Sequence, residues 1–181
     1  MVDRIVRAIR LDWTVFREIA VDPEATKQAA IIVLVVSFLS AVGSGLGLLV
    51  AKVGFGTAVL GFFNEWLIGG VLIGWIGWAI LTYFVGTTLF KGESSIEEML
   101  RVLGYASAPR LLGLLGFIPC VGWMFTFAGW ILALIAGVIA VREAMEFDTG
   151  NAVVTVLISW VIALVLSLII RVIFGIGLPV I

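Results

Sequence analysis

The sequence predicts an all-α polytopic membrane protein: five transmembrane helices plus an N-terminal amphipathic interfacial helix, in a single membrane domain over residues 1–181. Three observations predict it. The chain is 62% hydrophobic and only 13% charged, with a mean hydropathy of +1.25, and a soluble domain of this length needs more polar surface than that. Several apolar runs exceed the ~18–20 residues needed to cross a hydrocarbon core. The basic residues cluster on one side of the spans that those runs define.

The first twenty residues have no continuous apolar region before a small-residue cleavage site, so they are not expected to be a signal peptide. Ile5, Ile9, Trp13, Phe16 and Ala20 fall at helical spacing on one face, with Arg4, Arg7, Arg17 and Glu18 on the other. That pattern fits a helix lying on a membrane surface, Trp13 and Phe16 toward the acyl boundary and Arg4 and Arg7 toward anionic headgroups. It equally fits a helix packed on the protein's own cytoplasmic side. Asp22-Pro23-Glu24 starts a new helix, since Asp caps free N–H groups, Pro suits the first turn and Glu opposes the helix dipole.

The expected spans are 27–51, 58–90, 98–118, 121–141 and 152–177. Gly43 and Gly47 in the first, and Gly70, Gly74 and Gly77 in the second, form small-residue stripes that let helix backbones approach closely in lipid. Phe90-Lys91-Gly92 ends the second span, and Ser94 with Glu97, or Ser95 with Glu98, supplies a capping box for the next helix. Pro119, with Gly122 nearby, divides an apolar run too long for one span. A polar link with Arg142, Glu143, Glu146 and Asp148 precedes the last span.

Orientation follows from the basic residues. Arg4, Arg7, Arg10, Arg17 and Lys27 precede the first span, Lys91 and Arg101 lie between the second and third, and Arg142 follows the fourth. With five spans these share one side, and the positive-inside rule puts the N-terminus in the cytoplasm and the C-terminus outside.

The composition also limits the chemistry. The single cysteine, Cys120, excludes an intrachain disulfide, and the lack of histidine removes the commonest general base and metal ligand. No catalytic residue, cofactor or metal site is expected, and the protein is not expected to be an enzyme. Glu143 and Glu146, three residues apart, suggest a solvated charge cluster near the cytoplasmic surface. The charges inside the apolar regions are Glu65, Arg110 and Arg171. At 1.5 Å per residue, Glu65 and Arg171 lie on the order of 10 Å inside the outer boundary, and Arg110 roughly 12 Å. The three are expected to form a cluster, Glu65 pairing with Arg171 first and Arg110 second, with Asn64 satisfying remaining donors.

Five spans, a cytoplasmic N-terminus and the pattern Leu103-Gly104-Tyr105 followed by Pro109 resemble the Yip domain family of Rab/Ypt-interacting membrane proteins. Gly104 permits close helix approach, Tyr105 suits the cytoplasmic interface, and Pro109 bends the third helix. In eukaryotes the resemblance implies a role in trafficking between endoplasmic reticulum and Golgi and binding of small GTPases. This chain lacks the long hydrophilic N-terminal region and its Asp-Leu-Tyr-Gly-Pro motif, so small-GTPase binding is doubtful here. The compact form is similar to prokaryotic members and implies a bacterial or archaeal plasma membrane.

The function expected is that of a non-catalytic scaffold or organiser of other membrane proteins or lipids. An accessory subunit of a larger membrane complex, and a small-solute, ion or lipid transporter or scramblase, are the alternatives. The expected partners are membrane lipids and other membrane proteins or a second copy of the chain, with no nucleic acid.

Overall fold

The computed structural model describes residues 1–50 and 54–173, the side chains of the last four of these excepted. It is an all-α polytopic membrane protein, and no strand occurs among the described residues. Four helices are long and apolar enough to cross a membrane: Ala25–Val50, Phe55–Phe90, Gly122–Ala144 and Thr149–Ile169. A shorter apolar helix spans Ala108–Phe117.

The N-terminal segment is two helices, α1 (Val2–Ile9) and α2 (Trp13–Val21), where periodicity suggests one. Leu11 breaks the run with a left-handed φ of 61°. Asp12 then caps α2, its Oδ1 accepting from the Thr14 backbone N–H at 3.0 Å. The turn redistributes the apolar stripe. Phe16 and Ala20 enter the core, while Ile9 and Trp13 stay exposed.

α3 (Ala25–Val50) begins after Asp22, whose Oδ1 accepts from the Glu24 N–H at 3.0 Å. The next long helix has three parts in series: α4 (Phe55–Phe63), a π-helical stretch (Asn64–Gly77) and α5 (Trp78–Phe90). A π turn closes i→i+5 and is rare beyond a single turn. In this stretch a Cβ at Gly70 would stand 3.2 Å from the Glu65 carbonyl oxygen, and one at Gly77 3.1 Å from that of Leu72. Glycine therefore sits where the wide turn presses a carbonyl five residues back against the Cβ position. These glycines serve the helix's own winding as well as packing; Gly70 also abuts Ser37 of α3.

Lys91 ends α5 in the left-handed conformation, φ 56°. α6 (Ile96–Ala106) starts with a capping box formed by Ser95 and Glu98. The segment expected as one bent third helix is α6 followed by a 3₁₀ helix, Ala108–Phe117, with Pro109 in its first turn. Proline is tolerated there because its missing N–H would have no helical partner anyway. Both parts pack against α3 and α7 (Gly122–Ala144). Gly43 of α3 meets the Gly113 and Leu114 carbonyl groups so closely that a Cβ would collide with them. At Gly47 a Cβ would make only ordinary contact, 3.8 Å from the Gly116 oxygen. α8 (Thr149–Ile173) starts on Asp148, which accepts from the Gly150 N–H at 2.9 Å, and packs against α5 and α7.

The core lies at the end of the bundle covered by α1 and α2. Tyr105, Phe16, Ile19, Met99 and Leu103 are its largest fully buried side chains. Gly104 permits the close approach of α6 to α3, where a Cβ would fall 2.6 Å from Ala29 Cβ. The opposite end, where α3 finishes and α7 begins, is loosely filled and contains the cavities described next.

Candidate functional site

Two adjoining cavities, of about 380 and 580 Å³, lie between α3, the π-helical stretch, the 3₁₀ helix, α7 and α8. Glu65, Arg110 and Trp130 line both. The sequence singled out the two charges, and the fold brings them to one place.

Arg110 is held by its backbone. Its N–H donates to the Ser107 carbonyl at 2.9 Å. Its own carbonyl accepts from Ser40 Oγ of α3 at 3.0 Å. α7 closes in from behind, since a Cβ at Gly129 would stand 2.8 Å from the Pro109 carbonyl oxygen. The guanidinium reaches across to the π-helical stretch, where a Cβ at Gly74 would lie 3.1 Å from its Nη1. The Glu65 carboxylate stands over the same stretch, with Oε2 3.4 Å from where a Gly69 Cβ would be. Glycines at 69 and 74 thus make the floor on which both charged heads rest.

No ion pair at contact distance joins Glu65 to Arg110. Glu65 is nevertheless close enough to act on Arg110 through its charge. Glu65 and Arg110, the second-ranked pair, share a cavity wall. Arg171, ranked first as the partner of Glu65, has its side chain outside the described residues. Asn64 begins the π-helical stretch and lines neither cavity.

Tryptophans dominate the remaining wall. Trp130 and Trp160 meet edge to face at 4.8 Å, and Phe127 stacks on Trp130 at 6.0 Å. Trp78 also lines the smaller cavity, and its buried Nε1–H has no acceptor among the described residues. Trp123, 67% exposed, stands at the larger one. Among the described residues no group of acidic or cysteine side chains is placed to hold a metal ion.

At the covered end the charges are paired. Arg4 bonds Asp22 at 2.6 Å and Glu18 at 2.8 Å. Arg7 bonds Asp12 at 2.9 Å and Glu18 at 3.2 Å. These contacts raise the pKa of Arg4, chiefly through Asp22, and hold the Glu18 and Asp22 carboxyls below their ordinary values, chiefly through Arg4. Asp12 is also lowered, first by the Thr14 hydroxyl and then by Arg7. Arg4 and Arg7 are thus bonded to protein carboxylates. Phe16, at 0% exposure, is a core residue, not a membrane anchor. Trp13, 48% exposed, keeps an outward position, with the Arg17 guanidinium 5.7 Å from its ring.

Two pairings escaped the sequence. Glu143, expected in a solvated cluster, is buried and bonds Arg17 at 3.0 Å and Arg142 at 2.8 Å. Arg101 is buried and donates from Nη2 to the Ala20 carbonyl at 2.7 Å. The Arg17–Glu143 and Arg101–Ala20 contacts depend on α2 docking onto helices far along the chain, for which no local pattern exists. Tyr105 is fully buried, and its hydroxyl donates to Gln28 Oε1 on α3.

An all-α integral membrane protein with a paired-charge cap at one end and a charged, tryptophan-walled cleft at the other is the class these features define. Residues 14–170 match the Yip1 domain, and the chain belongs to that family. No curated protein and no solved structure matches it.

Proposed function

We propose that this Yip1-domain protein is a non-catalytic organiser of other membrane proteins or lipids in a bacterial or archaeal plasma membrane. In this reading the chain crosses five times, α6 and the 3₁₀ helix together making the third crossing. The N-terminus, with its basic residues, is cytoplasmic and the C-terminus is outside. One observation carries the reading: the two sides of the α1–α2 cap are used differently. The inner side is bound to the bundle by Phe16, Ile19 and the arginine–carboxylate pairs. The outer side leaves Val2, Val6, Ile9, Trp13 and Val21 exposed. A rigid platform with apolar side chains left over suits the docking of a partner or of the lipid surface.

Affinity capture from native membranes tests it. A defined set of membrane proteins should co-purify and be lost on Val6→Asp with Trp13→Asp. Recovery of the chain alone under several mild detergents would overturn the reading.

The cleft favours a second reading, transport of a small solute, ion or lipid, because Glu65 and Arg110 line two adjoining cavities. Reconstituted liposomes decide. Flux or lipid scrambling above empty vesicles would support transport, and none would remove it.

A further inference from the structure

We propose that the two adjoining cavities are one seat for the headgroup of an aminophospholipid, its phosphate on Arg110 and its primary ammonium on Glu65. The inference does not depend on the organiser reading, since a seated lipid can be structural or regulatory.

The anion seat comes first. Among the described residues no hydrogen bond or ion pair involves the Arg110 guanidinium, although it stands between packed helices at the wall of both cavities. A guanidinium offers five donors in a planar fork that matches two phosphate oxygens. The Trp78 indole N–H, on the smaller cavity's wall, is a further donor without an acceptor.

The cation seat follows from the hydroxyls. Ser40 donates to the Arg110 carbonyl, Thr126 to Gly122, Ser107 to Gly104 and Ser167 to Leu164. In these bonds each hydroxyl oxygen keeps lone pairs that can accept, and Ser44 adds a further hydroxyl to the larger cavity. They can accept from an N–H donor. Glu65 lines the same space, and a carboxylate has about four lone-pair sites, so it accepts an ammonium alongside any other partner. The wall therefore asks for one anion and one N–H-bearing cation in the same molecule. A phosphoethanolamine headgroup supplies both, whereas the quaternary ammonium of phosphocholine has no N–H to donate.

The surroundings point to a lipid as the source. Each cavity falls in the ~300–1,000 Å³ range of ligand sites. The larger opens beside Trp123 and Phe127, both exposed on the apolar flank of α7. Acyl chains can lie along that flank while the headgroup turns inward, and indoles at such a border are the side chains that lipid interfaces favour.

The test uses the purified full chain in mild detergent, with native mass spectrometry and thermal unfolding. Phosphatidylethanolamine, phosphatidylcholine and phosphatidylglycerol of matched acyl chains are added in turn. One phosphatidylethanolamine should be retained, at least about tenfold more tightly than phosphatidylcholine. Arg110→Met should lose retention, Arg110→Lys should keep a weakened form, and Glu65→Gln should bind both lipids without preference. Soluble phosphoethanolamine at equal concentration should not displace the lipid; if it does, a free zwitterion is the ligand and the lipid assignment fails. Equal retention of phosphatidylethanolamine and phosphatidylcholine by the unmodified chain would overturn the proposal, even if Arg110→Met fails to fold. So would tighter binding of phosphatidylglycerol, or unchanged binding by a folded Arg110→Met variant.

Discussion

At the capped end, Phe16, Ile19, Met99, Leu103 and Tyr105 are buried against one another, and the charges above them are matched arginine to carboxylate. At the other end Val50, Phe55, Leu60 and Trp123 face outward, and the space between the helices holds two cavities and an arginine. The five-crossing arrangement proposed above accounts for the difference, because it sets the capped end near water and the cavities between helices in lipid. Side chains near water gain by burying apolar area, so the capped end packs as a soluble core does. Between helices in lipid that drive is absent, and contact depends on small residues and polar links. Gaps there cost less, and a cleft with charged walls can persist. Stability is thus concentrated at one end and room for a ligand at the other.

The largest test of that contrast is Phe16→Ala. It should destabilise the detergent-solubilised protein by roughly 3–5 kcal/mol, the range for emptying a buried phenylalanine site. Phe127→Ala, exposed on the flank of α7 but stacked on Trp130, should cost no more than about 1.5 kcal/mol. Equal melting shifts for the two would remove the distinction between the ends. Next is Gly104→Ala, which sets a methyl group against Ala29 and the Trp75 indole. A loss of about 1–3 kcal/mol is expected. Gly47→Ala meets only ordinary contacts and should be neutral or slightly stabilising in the same unfolding assay.

A smaller effect sharpens the picture. Tyr105→Phe removes the hydroxyl bonded to Gln28 and keeps the packing, so a loss near 1 kcal/mol is expected. No change in the melting transition would show that the hydroxyl contributes nothing. The smallest effect is that of acid. Asp12, Glu18 and Asp22 have lowered pKa values in the folded state. Their contribution is present above the unfolded values, near ~4, and is lost as pH falls through the lower folded ones. Proteolysis of the N-terminal segment should therefore rise below pH ~4, modestly because these pairs are solvent-screened. Arg4→Gln should raise it at neutral pH and blunt the acid response. A cap equally resistant at both pH values would show that apolar packing alone holds it.

Much of the architecture was legible because it rests on local chemistry. Ser95 with Glu98 capped α6, one of two capping boxes the sequence offered. Asp22 fixed the entry to α3 through a short-range bond to Glu24. The family pattern was equally local: Gly104, Tyr105 and Pro109 lie within six residues. The division of the N-terminal segment at Leu11 was not legible. Periodicity there continues through the break, and Asp12 fits a helix surface as well as a cap. The π-helical winding of Asn64–Gly77 was hidden for a similar reason, since its glycines read equally well as a packing stripe.

By itself the sequence determined the solvent, the class of fold and the identity of the charges inside it. Those depend on composition, run length and residue type, which a chain carries wherever it folds. Tertiary structure alone decided which charges meet which partners and which of them line a cavity. Glu143 became a buried partner of Arg17 because α2 docks on α7. Arg110 came to share a cavity wall with Glu65 because a 3₁₀ helix and a π-helical stretch meet over glycines. Electrostatic energy falls off with distance through a low-dielectric interior, and distance between residues far apart in the chain is set by packing, not by order.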